Sequence, residues 1–256
     1  MTGLTVFDDI ALRLRNLTTE QLDASKGDPG ALPGAFKIRL AKSRTFRKGA
    51  GTLVERRYAH RGYQTPQQNE DPNLFTFVAY DEGALVGTVS IRLDSPAGLS
   101  ADALYKEEID DLRKAGCKVC EFTRLAVDVK AVSKPVLAGL FHTAYLYASA
   151  VRGYNFAVIE VNPRHVAFYA KALGFEPIGP ERTNTRVNAP AVLLCVPFEH
   201  IAVALKKYAG DPEAVAKSRS LFPYGFPPEE ESGILGRLRE LDTSRADAAP
   251  RKSPAR

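Results

Sequence analysis

Val119-Cys-Glu-Phe-Thr-Arg-Leu-Ala-Val-Asp128 is a strand-forming run with two charges inside it. Phe122, Leu125 and Val127 favour a strand and Ala126 is small. Glu121 and Arg124 are each costly to bury in a strand unless paired or put to use. After this run the chain reads as a helix (134–152), a strand (155–161) and a second helix (163–173). That order is a β-α-β-α unit, and a parallel strand pair carries its ligand sites at the carboxyl ends of the strands.

Upstream of this unit, residues 36–40 alternate at period two and give a first strand. A basic stretch, 44–63, places Leu53, Val54, Arg57 and Tyr58 at helical spacing, against the opposing effect of Gly49 and Gly51. Two strand runs, 74–80 and 84–93, joined by Asp81-Glu-Gly83, form a hairpin. Residues 101–115 make a helix that Gly116 ends. Downstream, 174–178 enters another strand, 179–188 is a polar loop, and 189–198 is a strongly apolar strand.

The two ends differ in character from this middle. Residues 1–34 read as an amphipathic helix and a Gly/Pro/Asp linker. After Pro197 come short helices at 201–208 and 212–220, the aromatic loop Leu221-Phe-Pro-Tyr-Gly-Phe-Pro-Pro228 and a last helix at 229–241. Residues 242–256 have almost no large apolar groups and are expected to be a disordered tail. The expected division is thus 1–34, a catalytic domain at 35–198, a helical extension at 199–241, and the tail.

Of the 256 residues, 45% are hydrophobic and 25% charged, which suits one globular domain with appendages. No apolar run reaches membrane-spanning length, so no transmembrane segment is expected; membrane-surface contact by the aromatic loop stays open. The first ten residues carry two acids and no basic n-region, so no signal peptide is expected. Three cysteines, an odd number, fit a reduced, cytoplasmic protein. Cys117 and Cys120 form a lone C-x-x-C with Cys195 remote and no histidine close by, so they read as packing residues and no metal site is expected. A net charge of +5 does not call for nucleic acid but suits an acidic protein partner. Arg44, Arg47, Lys48, Lys130 and Lys134 are the candidate docking cations.

The order strand, helix, hairpin, strand, helix, strand, helix, strand resembles the GNAT acyltransferase fold. That fold implies a mixed, mostly antiparallel sheet with a splayed parallel pair and helices on both faces. Asn162-Pro-Arg-His-Val-Ala-Phe-Tyr-Ala-Lys-Ala-Leu-Gly-Phe175 looks like the GNAT segment in which an Asn ends the fifth strand and Phe-Tyr precedes Gly-Phe. Coenzyme-A-dependent GNATs carry a Gly-rich turn whose N–H groups hold the pyrophosphate at a helix N-terminus. Here that turn is Val129-Lys-Ala-Val-Ser-Lys-Pro-Val-Leu-Ala-Gly139. The paired glycines are missing, and Pro135 removes an amide donor. Glu121-Phe-Thr-Arg124 resembles the Glu-x-Ser/Thr-Arg motif of acyl-homoserine lactone synthases. Glu107 to Arg113, Glu121 to Asp128, Glu160 to His165, Gly174 to Arg182 and Arg186 to Ala191 are more similar to the long-chain N-acyl amino acid synthases of Fee type. The chain has no Trp, and the missing lactone-synthase signature argues against S-adenosylmethionine as acceptor.

The resemblance implies transfer of a long-chain acyl group from acyl-phosphopantetheine on an acyl carrier protein to an amino acid's α-amine. No tightly bound cofactor is expected, and acyl-CoA is the alternative donor. The amine must be neutral to attack, and Glu121 is the candidate base by analogy with the lactone synthases. By the same resemblance Tyr169 protonates the leaving thiolate, and a strand N–H near Leu125, Ala126 or Val127 holds the oxyanion. Arg124 is the first choice for the acceptor carboxylate, followed by Arg186 and Arg182. Asn162 and Asn188 are further substrate-binding candidates. Phe75, Phe77, Phe122, Phe141, Tyr145 and Phe168 are the candidate acyl-tunnel residues. Competing readings are a coenzyme-A-dependent N-acetyltransferase and a non-catalytic acyl-carrier or lipid-binding module.

Overall fold

A computed structural model describes residues 36–59, 71–128, 133–185 and 188–248. The helix and linker expected at 1–34, the candidates Lys130 and Arg186, and residues 249–256 of the expected tail lie outside them. The strands are β1 Lys37–Leu40, β2 Leu74–Asp81, β3 Ala84–Leu93, β4 Val119–Val127, β5 Phe156–Val161, β6 Glu176–Pro177, β7 Arg182–Asn184 and β8 Ala189–Pro197. The helices are α1 Arg44–Ala59, α2 Asp102–Lys114, α3 Lys134–Leu146, α4 Val166–Leu173, α5 Phe198–Tyr208, α6 Pro212–Lys217 and α7 Pro228–Ala248. A π-turn, Tyr147–Val151, prolongs α3.

The sheet runs β1-β2-β3-β4-β5-β8-β6, with β7 paired to β8. Each pairing is antiparallel except β4 with β5. This is the sheet the GNAT resemblance implies, with its parallel pair at the centre.

Alternation along the strands sorts side chains to two faces. Phe77, Ile91, Cys120 and Phe122 lie under α3. On the opposite face, Val119, Val158 and Leu193 pack under Tyr105 and Ile109 of α2. Further along that face, Val78 and Ala126 pack under Ala50, Leu53 and Val54 of α1.

Helix α3 is apolar nearly all round, and ten of its residues are buried. Such a helix must be covered on both sides. The sheet covers one side and the C-terminal segment the other. Gly139 marks how close the cover comes: a Cβ there would lie 2.7 Å from Ile38 and 3.2 Å from Phe226.

Two expectations shift. The stretch 179–188, expected as a loop, contains β7, whose Arg182 and Asn184 pair with Ala191 and Ala189; its polar residues sit on a short edge ribbon rather than in free loop. Helix α7 runs to Ala248, into the expected tail. Its anchor is Asp242, which accepts from Tyr147 Oη at 2.5 Å and Arg152 Nη1 at 3.0 Å.

Candidate active site

Strand β4 pairs with β3 along most of its length but with β5 only through Val119, Cys120 and Glu121. Past Glu121 the two strands part, and β5 continues to Val161 on β8 alone. On the β3 side the register slips. Thr88 faces Ala126 and Ser90 faces Thr123, so Arg124 and Leu125 stand together opposite Val89. Arg124 has a φ of 51°. This is a β-bulge with a non-glycine residue in the left-handed region, a conformation that costs about 1–2 kcal/mol. Strain of this kind concentrates at functional sites. The bulge also reverses the alternation: Phe122 faces α3 before it and Val127 after it, while Ala126 turns to α1.

The α1/α2 face of the splay is polar. Glu121 is 3% exposed. Its Oε2 accepts the Ser100 N–H at 2.6 Å. Arg92 stands directly across β3–β4 from it, and Asp71 holds Arg92 Nη1 at 3.0 Å. Burial raises the Glu121 pKa from its ordinary 4.5 to about 7. The Ser100 N–H and the Arg92 charge pull it back down, and the nearby Glu160 pushes it up. Glu160 accepts from Asn184 Nδ2. One register step on, Thr76, Ser90 and Thr123 form a second polar row, with the Thr76 and Ser90 hydroxyls 2.8 Å apart.

The loop that presents Ser100 to Glu121 is pinned by one arginine. Arg113 donates to Asp94, Asp102 and Asp110 at 2.6–2.9 Å, and Asp102 Oδ2 accepts the Leu99 N–H at 2.6 Å. Replacing Arg113 with methionine leaves partly buried carboxylates without a cation. We expect a loss of about 1–3 kcal/mol, read as a lower melting temperature, and a Glu121 pKa that rises further once the Ser100 amide is no longer held. An unchanged melt would mean that the loop is held by other contacts.

The α3 face is apolar. A pocket with about 410 Å³ of empty space, part of it open to solvent, begins at Phe122, the first residue past the last β4–β5 pair. Phe141 and Tyr145 of α3 line it, with Leu173 at the end of α4 and Phe175 just after it. Its other wall comes from α5 and the turn before α7. His142 is the nitrogen-bearing side chain in this wall. Its Nδ1 accepts the Phe226 N–H at 3.1 Å, and burial lowers its pKa to about 4, so it is neutral.

The expected site residues therefore divide. Glu121, Phe122, Arg124, Leu125, Ala126 and Val127 share β4 at the splay. Phe122 and Phe141 stack at 5.9 Å, and Tyr169 meets Phe141 and Phe175 edge to face. Tyr169 is thus buried beside the apolar pocket, and Phe168 packs on it. Phe75 and Phe77 instead pack on Tyr147, away from the pocket lining. Asn162 caps the turn after β5 by accepting the Arg164 N–H. Asn188 is an exposed turn residue with a φ of 48°. Arg182 is taken up by Glu108 and the Leu104 carbonyl, and lies over the Tyr105 ring.

Sequence reasoning missed Arg92, Ser100 and Asn184. For Arg92 the signal was there: the hairpin parity and the β3–β4 register put it beside Glu121. Ser100 and Asn184 act through loop and edge geometry that no spacing announces.

The start of α3 is already occupied. The Ser133 hydroxyl accepts the Val136 N–H at 3.4 Å, the Ser133 carbonyl accepts the Leu137 N–H at 3.1 Å, and Pro135 has no N–H. Among the described residues, the Val136 and Pro135 positions therefore offer no free N–H to an anion. Among the described residues, no group of His, Cys, Asp and Glu is placed to hold a metal ion, and no helix is long and apolar enough to cross a membrane.

Residues 49–197 match the family model described as N-acyl amino acid synthase FeeM. Among solved structures, FeeM, an N-acyl amino acid synthase from uncultured soil microbes, is 29% identical with a TM-score of 0.60, covering 65% of this chain and 93% of that one. The acyl-homoserine lactone synthase LasI is 14% identical (TM-score 0.46, 64% and 91% covered). The CoA-dependent synthase BjaI is also 14% identical (0.47, 68% and 89%). No curated protein matches the chain.

Proposed function

The chain belongs to the N-acyl amino acid synthase FeeM family of N-acyltransferases, and from that premise we propose that it moves a long-chain fatty acyl group from an acyl carrier protein thioester to the α-amine of an amino acid. The observation that carries the two-substrate reading is the splay itself. It is polar with a buried carboxylate on one face and apolar on the other.

The amine approaches from the α1/α2 face. Glu121, with a pKa near 7, takes its proton directly or through a water. The thioester carbonyl lies between β4 and β5, where β4 from Phe122 onward no longer pairs with β5, and a β4 N–H near Leu125, Ala126 or Val127 holds the oxyanion. The nitrogen attacks and a tetrahedral intermediate forms. Collapse breaks the C–S bond, giving the amide and the pantetheine thiolate; the nitrogen gives its second proton to solvent as the amide forms, and Tyr169 protonates the thiolate and is reprotonated from solvent. Arg124 faces the acceptor carboxylate in this reading.

The carrier-bound donor is favoured by Pro135, which lacks an N–H, and by Ser133, whose hydroxyl takes the Val136 N–H at the start of α3. Coenzyme A brings a pyrophosphate that needs free N–H groups there, whereas a carrier-bound phosphopantetheine does not. We expect kcat/KM at least tenfold higher with acyl carrier protein thioesters than with acyl-CoA of the same chain. Equal values would shift the donor to coenzyme A.

The overall test is mass spectrometry of lipid extracts from cells expressing the protein, beside Glu121→Gln. Fatty-acyl amides present only with the wild type support the reading, and their masses name both the amino acid and the acyl chain. Soluble, folded protein without new amides would overturn it.

A further inference from the structure

We propose that the segment after Pro197 sets the acyl length, with Leu205 and Gly225 as specificity-determining residues in the end wall of the apolar pocket. This rests on the acyl-transfer reading above.

A chain threaded through the splay enters the pocket at Phe122. Facing it are Ile201, Leu205, Leu221, Phe222 and Gly225. All five lie beyond residues 49–197, the part that matches the family model. Length selection is therefore built by this chain's own extension and not by the shared sheet.

That wall is fixed in place. The Leu221 N–H donates to the Ala172 carbonyl at 2.9 Å, and the Ser220 hydroxyl to the same carbonyl at 3.2 Å. The Phe226 N–H donates to His142, and Asp242 ties α7 to Tyr147 and Arg152. A wall held at both ends measures a chain, because the methylenes that do not fit must stay in water or displace packed side chains.

Gly225 has a φ of −64° and a ψ of 159°, which any residue adopts. A Cβ there would lie 2.7 Å from Leu205 Cδ2, 3.0 Å from the Phe222 carbonyl oxygen and 3.2 Å from His142 Nδ1, all of residues that line the pocket, and of these the Leu205 side chain is the one free to move. Gly225→Ala therefore drives the Leu205 side chain and takes up room. Leu205→Ala opens it. Each methylene that gains or loses its place changes binding about fourfold.

The test uses the full-length protein with two readouts. One is the chain-length profile of amides made in cells. The other is displacement of a fluorescent fatty acid by saturated acids of graded length. Leu205→Ala, with Ile201→Ala as a second opening variant, is expected to move both optima to longer chains, and Gly225→Ala to shorter ones. Amides of unchanged length from folded variants would overturn the inference and leave the acyl-transfer reading standing. A shifted binding optimum without any amide would overturn the acyl-transfer reading and leave the wall assignment standing. Absence of both binding and amide would overturn both.

Discussion

Glu121→Gln is expected to lower the rate of acyl transfer by a factor of about 10²–10⁴, the usual contribution of a positioned general base. Glutamine keeps the shape and an acceptor for the Ser100 N–H but takes no proton. In the wild type, kcat/KM should fall as pH drops through about 7, because the protonated carboxyl cannot serve as base. Stability moves the other way. The folded pKa, about 7, lies above the ordinary 4.5. The folded carboxyl keeps its proton where the unfolded one has lost it, so this contribution is fully present below pH 4.5. It is lost as pH rises through about 7. The loss is on the order of 3 kcal/mol. The glutamine variant lacks it, so at pH 8 it should melt at or above the wild type while being nearly inactive. A purely structural Glu121, paired with Arg92 across β3–β4, predicts the reverse: a destabilised variant that keeps its rate.

How far this site was legible depends on the kind of signal. The β4 run shows its charges in the sequence, because charged residues amid strand formers are conspicuous. The β-α-β-α order gives the parallel pair, and alternation gives the two faces. What spacing cannot give is a break in alternation. Nothing in Phe122-Thr-Arg124 announces that Arg124 takes a left-handed φ and shifts every later residue by one face. Arg182 shows the converse failure. It was a plausible carboxylate clamp by type and position, but Glu108 and the Leu104 carbonyl engage it. Phe75 and Phe77 alternate as a pocket wall would, yet both pack on Tyr147 and neither lines the pocket.

The C-terminal segment was the least legible part, because its first two helices are short and its loop aromatic residues could face a core, a partner or a membrane surface. A chain ended after Pro197 is expected not to fold to a soluble protein. Helix α3 carries no polar face, since a helix covered on both sides needs none. Phe198, Ile201, Leu205, Leu221, Phe222 and Leu238 belong to the main core. Full burial of each such side chain is worth about 1.5–3 kcal/mol. Together they approach the whole stability of an ordinary domain, about 5–15 kcal/mol. Their removal also uncovers Phe141, Tyr145 and Leu173 as one apolar patch, which favours aggregation. The measurement is soluble yield and thermal unfolding of the truncated chain. A soluble protein melting cooperatively within a few degrees of the full chain would show that the extension is merely appended. It would then also be too loosely held to measure an acyl chain, so the length inference would fall with it. The opposite outcome makes the extension part of one core, in which the elements that cover α3 also close the pocket.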